Sequence, residues 1–362
     1  MRRSRWGIMT VAAGALAVSQ TGAVATADAQ QPTEVSGEFT ALTYNVAGLP
    51  AALSGSEPDV NTVLISPLLN AYDLVLVQES WANNPPLPGG LEVYHEVLVS
   101  QVTHPFLSEP APLPLGTDPR RPEAFVSDGL NRMSRFPFGE LTRVMWDGCF
   151  GGIDTSDGGA GDCLSQKGFS VATTTLAPGV EVDVYNLHGE AGGTAEDERL
   201  SRLDYEQLAA FMVTHSAGKA VIVGGDFNLR PNRQPDGEVL ATFREETGLT
   251  DVCEVVDCGD DANEIDRFMF RSGGGVTIEA LAHSFERDRF RRDDGEPLSD
   301  HDALAVTFAW SAVVEGDKPP TPARPAEPAK PATPARPATP ANPAEPATPA
   351  DPAEPATPRF TG

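Results

Sequence analysis

The chain contains a series of short apolar runs that each meet a polar side chain at one end, and this restricts its fold more than any other feature. FTALTYNV carries Asn45 near its end, DLVLVQE closes on Glu79, VEVDVYNLH closes on His188, and VIVGGDFN runs into Asp226 and Asn228. A last run, ALAVTFAW, follows Asp300 and His301 in SDHDALAV. Short runs rich in Val, Leu and Thr and bounded by Gly, Pro or Asn predict strands. GFSVATTTL and VEVDVYNL, joined by Ala-Pro-Gly, predict a hairpin, and DRFMF predicts a further strand. Helical spacing predicts helices around Val60–Leu69, over Ala195–His215 and near Gly237–Glu246. In the second of these, Leu200, Leu203, Leu208, Phe211 and Met212 form the expected core stripe. Strands linked both by hairpins and by helices imply mixed sheets covered by helices, an α/β architecture. One domain over about 36–314 accommodates them.

The flanks read differently. Arg2, Arg3 and Arg5 precede an apolar stretch from Ile8 to Val18, and ATADA offers small-residue cleavage sites, so residues 1–29 are expected to be a secretory signal peptide. From Lys318 to Pro358 the chain repeats Pro and Ala with Thr, Glu, Arg, Asn and Asp between them. Such a tract forms neither helix nor sheet ladder and favours extended polyproline II. Residues 316–362 are therefore expected to be a disordered spacer suited to crossing a cell wall. Four cysteines, Cys149, Cys163, Cys253 and Cys258, remain in the body of the chain, and in an exported protein they favour disulfides. Proximity points to Cys149–Cys163 and Cys253–Cys258 among three possible pairings. No CxxC pair is present, which disfavours zinc.

The formal net charge is −26. A general nucleic-acid binder shows a basic face, so this balance disfavours one, although a local basic cleft or a metal ion can still meet a phosphate. Between Trp81 and Asp128 the chain is irregular and rich in proline. Its Phe106, Leu107, Leu113 and Leu115 are expected either to touch a lipid surface or to cover a core.

One strand-end Asp or Asn is ordinarily a turn residue. Repeated Asn, Glu, Asp and His at the ends of successive strands instead point to a shared site, and hard oxygen ligands suit magnesium, calcium or manganese. The ordered set TYNVAGLP, VQES, NLHGE, GGDFNLRP, IDRFMF and SDHDAL resembles the endonuclease/exonuclease/phosphatase superfamily of DNase I-like, metal-dependent phosphoesterases. The resemblance spans Asn45 to about Val306. It implies a four-layer α/β sandwich with two packed mixed β-sheets and the active site at one edge. It also implies that Asn45 and Glu79 are metal ligands, with Asp300 beside the metal. His301 would act with the attacking water, and Asp266 would orient its ring. Asp226 and Asn228 would contact nucleophile and phosphate, and His188 would stabilise charge on the phosphate. Glu123 is expected, by position alone, to orient His188.

The segment SQKGF resembles the secreted sphingomyelinase branch and would place Lys167 near the phosphate; the alternative reading is a solvated turn. The branch's expected run after the histidine is replaced here by HGEAGG, and an aromatic membrane-inserting hairpin is missing. The expectation is a secreted, monomeric, sphingomyelinase-like phosphodiesterase that prefers phospholipid to nucleic acid and makes transient membrane-surface contact. The alternatives are a secreted DNase I-like endonuclease and a wall-tethered binding module with an inactive site. The complete set of Asn45, Glu79, His188, Asp226, Asn228 and His301 counts against the last.

Overall fold

A computed structural model of the chain describes residues 32–51, 54, 56–82, 91–112 and 118–314. The expected signal peptide, the Pro/Ala tail, Leu113 and Leu115 lie outside the described residues. Among the described residues twelve strands build two six-stranded sheets. The first sheet contains β1 (Thr33–Asn45), β2 (Leu74–Gln78), β3 (Phe106–Leu107), β4 (Asn131–Ser134), β11 (Val276–Phe285) and β12 (Leu304–Val314), in the order β11-β12-β1-β2-β4-β3. The second contains β5 (Thr142–Met145), β6 (Gly168–Ala177), β7 (Val180–His188), β8 (Val221–Asp226), β9 (Thr250–Asp251) and β10 (Asp266–Arg271), in the order β5-β6-β7-β8-β10-β9. Both sheets are mixed: β1 runs parallel to β2 and β7 parallel to β8, while their other neighbours are antiparallel.

Period-two alternation decides which face of each strand is dry. Phe39, Leu76, Val184, Ile222, Phe268 and Phe308 point between the sheets and form the central core. On the outer face of the first sheet, Leu42, Tyr44, Val75 and Val77 pack beneath α1 (Pro58–Leu68) and α2 (His95–Val99). On the outer face of the second, Phe169, Tyr185 and Val223 pack beneath α3 (Ala195–His215) and α4 (Asp236–Thr247). The layers are therefore helix, sheet, sheet, helix. α3 starts where Thr194 and Asp197 form a reciprocal capping box, and α4 stops at Gly248 in a left-handed conformation. The expected stripe of α3 is buried at Leu200, Leu208 and Met212, but Leu203 points out, 38% exposed. Phe106 and Leu107 do not cover a core; they form the short, exposed edge strand β3. Among the described residues no helix is long and apolar enough to cross a membrane.

A polar seam crosses the dry interface directly below one sheet edge. Gln78 Nε2 donates to Asn186 Oδ1 at 2.7 Å and to Thr43 Oγ1 at 3.0 Å, and Asn186 Nδ2 donates to the carbonyls of Val77 and Asn131. Although Gln78 Oε1 and Asn131 Oδ1 find no partner, these directional bonds fix one relative placement of the two sheets better than apolar contacts can. The seam lies next to Glu79 in sequence and two residues before His188.

Both proximity pairings are present as disulfides, Cys149–Cys163 and Cys253–Cys258. The first closes a separation of 14 residues, which in the chain-entropy account stabilises by about 3 kcal/mol. Replacing both Cys149 and Cys163 by Ser is expected to lower unfolding free energy by about that amount in a urea titration. An unchanged midpoint would contradict the assignment.

Candidate active site

The edge above the seam collects every strand-end residue that sequence reading singled out. In the second sheet His188, Asp226 and Asp266 stand opposite one another in register across β7, β8 and β10. Close approach there needs glycine: a Cβ on Gly225 would lie 2.2 Å from the Leu187 carbonyl oxygen, and one on Gly189 2.5 Å from that of Phe227. From the first sheet, Asn45 ends β1 and Glu79 follows β2. Ala47, Glu79 and Asn228 have φ values of 47°, 57° and 52°, the only non-glycine residues with left-handed backbone among the described ones. All three lie at this edge, where strain is tolerated only if the surroundings impose it.

Asn45 is the hub. Its Nδ2 lies 3.0 Å from Glu79 Oε1, 3.1 Å from Asp226 Oδ2 and 3.5 Å from His301 Nε2. Its Oδ1 accepts from Ala47 N at 3.1 Å. Ser299, which sequence reading missed, ties the SDH segment down: its Oγ donates to the Asn45 carbonyl at 2.7 Å and accepts from His301 N at 3.2 Å. Asp226 orders the following turn by accepting from Asn228 N at 3.0 Å, and Asn228 Nδ2 donates to Gly189 O at 3.1 Å. Asp300 is exposed at the rim, with Oδ1 3.3 Å from Ser299 Oγ.

Electrostatics separates the two histidines. His301 Nδ1 lies 2.8 Å from Asp266 Oδ2, and Nε2 lies 3.7 Å from Asp226 Oδ2. Burial alone would lower this imidazole, but Asp266 and Asp226 outweigh it and raise it to about 10. Burial pushes the Asp266 carboxyl upward against the pull of His301. His188 goes the other way: burial, Lys167 and His301 hold it well below the ordinary imidazole value. It is therefore neutral, and its Nε2 lies 3.3 Å from Asp226 Oδ2. Its Nδ1 is buried without a hydrogen-bond partner.

Glu123 does not reach His188. It is exposed and accepts from Ile153 N at 2.8 Å, so its role is to order a loop. Lys167 is not in a solvated turn either. It is 8% exposed, its Nζ pairs with Asp162 Oδ1 at 2.5 Å, and it donates to Gly189 O at 3.4 Å, the carbonyl that also holds Asn228. Burial opposes its charge, yet Asp162 and Glu190 keep it raised and protonated.

The donor set fits a hard divalent cation. Glu79, Asp226 and the Asn45 carboxamide converge, and burial raises the Glu79 carboxyl against the pull of Asn45, Lys167 and His301. An Asn45 ligand requires its amide oxygen where Nδ2 stands, an isosteric exchange. Ligand atoms of Asp226, Asp266 and His301 also lie within 4.8 Å of one another, but Asp266 and His301 already satisfy each other. The cysteine pair near His283 is joined as a disulfide and offers no thiolate.

Residues 42–301 match the family described as Endonuclease/Exonuclease/phosphatase. Sphingomyelinases of Mycobacterium tuberculosis and Mycobacterium bovis are 35% identical over 301 residues, covering 78% of this chain and 55% of theirs. The chain thus spans about half the length of the curated relatives it matches. Among solved structures, sphingomyelinase C from Streptomyces griseocarneus aligns with a TM-score of 0.50 at 16% identity, over 75% of this chain and 99% of that one. A beta toxin variant from Staphylococcus aureus with bound magnesium ions aligns with the same TM-score at 14% identity, over 75% of this chain and 99% of that one. At these identities the likeness is one of fold.

Proposed function

Since the chain belongs to the endonuclease/exonuclease/phosphatase family, we propose that it is an exported, divalent-metal-dependent phosphodiesterase that hydrolyses sphingomyelin or a closely related phospholipid. The observation that carries this reading is the convergence of Asn45, Glu79, Asp226 and His301 around one point, with the buried ammonium of Lys167 behind it. Magnesium is the favoured ion; held by Asn45 and Glu79 with Asp300 beside it, it would neutralise charge on the non-bridging phosphate oxygens.

The chain's own residues supply the rest. His301 Nε2 accepts the proton of the attacking water, while Asp266 holds Nδ1 and fixes the ring and its tautomer. The water oxygen bonds to phosphorus as the P–O bond to the lipid alcohol breaks. Asp226 and Asn228 orient the water and the phosphate from the end of a rigid strand. His188 contributes as a neutral ring whose Nε2 lies 3.3 Å from Asp226 Oδ2, and Lys167 places one positive charge at the phosphate.

A single lipid phosphate suits this electrostatic setting better than a polyanion. Arginines close to the site in sequence are already paired: Arg267 with Asp251 at 2.6 Å, Arg230 with Glu264 at 3.2 Å, and Arg233 with Asp236 at 2.9 Å. A DNA backbone needs successive free cations, and its binding weakens steeply with salt. The signal-like N terminus and the two disulfides support export. Transient membrane contact rests on the exposed Phe106 and Leu107.

The test compares choline-phosphate release from sphingomyelin vesicles with plasmid nicking, both with magnesium at low and high salt. Lipid turnover that tolerates salt, with kcat/KM falling about tenfold to a hundredfold in Lys167→Met, is expected. Salt-steep nicking without lipid turnover, together with an unimpaired Lys167→Met variant, would make the protein a nuclease instead.

A further inference from the structure

Behind the catalytic row lies a buried charge cluster to which the reaction assigns no role. Arg121 and Glu190 are each 1% exposed and pair at 3.1 Å, although 69 residues separate them. The Arg121 guanidinium also grips three backbone carbonyls. Nη1 donates to Asp162 O at 2.8 Å and Ser165 O at 3.0 Å, and Nη2 donates to Gly148 O at 2.5 Å. These carbonyls lie within two residues of the ends of the segment closed by Cys149–Cys163. Asp162, fixed in this way, receives Lys167 Nζ on one oxygen and Ala191 N on the other, at 2.5 and 3.0 Å. Asp204 completes the cluster: burial first, then Glu190, raises its carboxyl to about 9, so it is neutral at pH 7. Burial, then Asp162, raises the Glu190 carboxyl as well, to about 8 against the pull of Arg121 and Lys167, so two cations face three acidic side chains.

Fold stability alone is a poor reason to keep such a cluster, because a buried ion pair is often matched or bettered by apolar residues of the same volume. What the cluster does fix is position. The chain from Arg121 through Asp162 ends on Lys167, and Lys167 shares the Gly189 carbonyl with Asn228. Glu190 sits in the HGEAGG run, two residues after His188, where the sequence departs from the sphingomyelinase-like pattern.

We propose that Glu190, acting through Arg121, is a positioning residue that holds the Asp162–Lys167 pair against the phosphate site. The proposal rests on the reading of Lys167 as a phosphate contact. Its test therefore has two readouts, one independent of turnover. The first is the side-chain ¹⁵Nζ signal of Lys167 in ¹⁵N-lysine-labelled protein, assigned by its loss in Lys167→Met. The second is kcat/KM with magnesium on bis(p-nitrophenyl) phosphate, for Glu190→Gln, Lys167→Met and the double variant. In folded Glu190→Gln the Lys167 signal is expected to move toward that of free lysine and kcat/KM to fall at least about tenfold. Added to Lys167→Met, Glu190→Gln should then cost no more than about twofold, because coupled residues are not additive. Normal turnover in Lys167→Met would defeat the phosphate-contact reading, and the ¹⁵N signal would then decide the positioning claim by itself. An unmoved Lys167 signal, or losses that multiply, would overturn the proposal. Should Glu190→Gln fail to fold, Arg121→Lys serves with the same readouts, since it keeps the charge but loses the fork that grips the carbonyls.

Discussion

Glu79→Gln is expected to lower kcat/KM at saturating magnesium by about a thousandfold or more, equivalent to about 4 kcal/mol of transition-state stabilisation. Glu79 sits in left-handed backbone after the polar seam, and Asn45 Nδ2 holds its Oε1 at 3.0 Å, so an isosteric amide preserves the packing and removes the charge. A second effect should run the opposite way. Burial raises the Glu79 carboxyl, so its folded pKa exceeds its unfolded one. Such a group costs the fold stability above the unfolded pKa, and the cost grows as pH rises through the folded one. Without metal, Glu79→Gln should therefore melt higher than the parent at neutral pH, whereas stabilisation by added magnesium should vanish. Near-normal turnover, or intact magnesium stabilisation in the variant, would remove Glu79 from the metal site.

Asp266→Asn is expected to cost about a hundredfold in kcat/KM and to move the acid limb of the pH profile to lower pH. The sign follows from the ring. To accept a proton His301 must first lose its own, and its value of about 10 in the metal-free protein, set by Asp266 and Asp226 against burial, places that loss on the alkaline side. Taking away one of the two carboxylates lowers the ring toward the ordinary imidazole range, so deprotonation occurs earlier as pH rises. Positive charge at Asn45 and Glu79 acts in the same direction, so the limb should also shift down as magnesium is raised from subsaturating levels. A limb that Asp266→Asn leaves in place would show that another group titrates.

Much of the frame is legible because it is local. Apolar runs closed by polar residues announce β1, β2, β7 and β8, and α3 spans Ala195–His215 as its spacing predicts. Where the pattern breaks, sequence reading loses the element. In β11 a register shift between Ala280 and Ala282 interrupts the alternation. In β4 the run Asn131–Ser134 is polar by composition yet wholly buried, because Arg132 donates to the Val184 carbonyl and Asn131 to that of Ser80. The site divides in the same way. Strand-end side chains are brought together by sheet register alone, as His188, Asp226 and Asp266 are. Arg121, Glu190 and Ser299 act through partners far away in sequence, which no local pattern reveals. Glu123 shows the opposite hazard, a carboxylate at a plausible position whose chain turns toward Ile153.

The central claim is that water attacks phosphorus at this edge and that a divalent ion is required. Sphingomyelin turned over in ¹⁸O-water with magnesium, with products read by mass spectrometry, tests both parts at once. The account predicts one ¹⁸O in choline phosphate, none in the released lipid alcohol, and no product after EDTA until magnesium is restored. Label in the lipid alcohol, or turnover that survives EDTA, would contradict it.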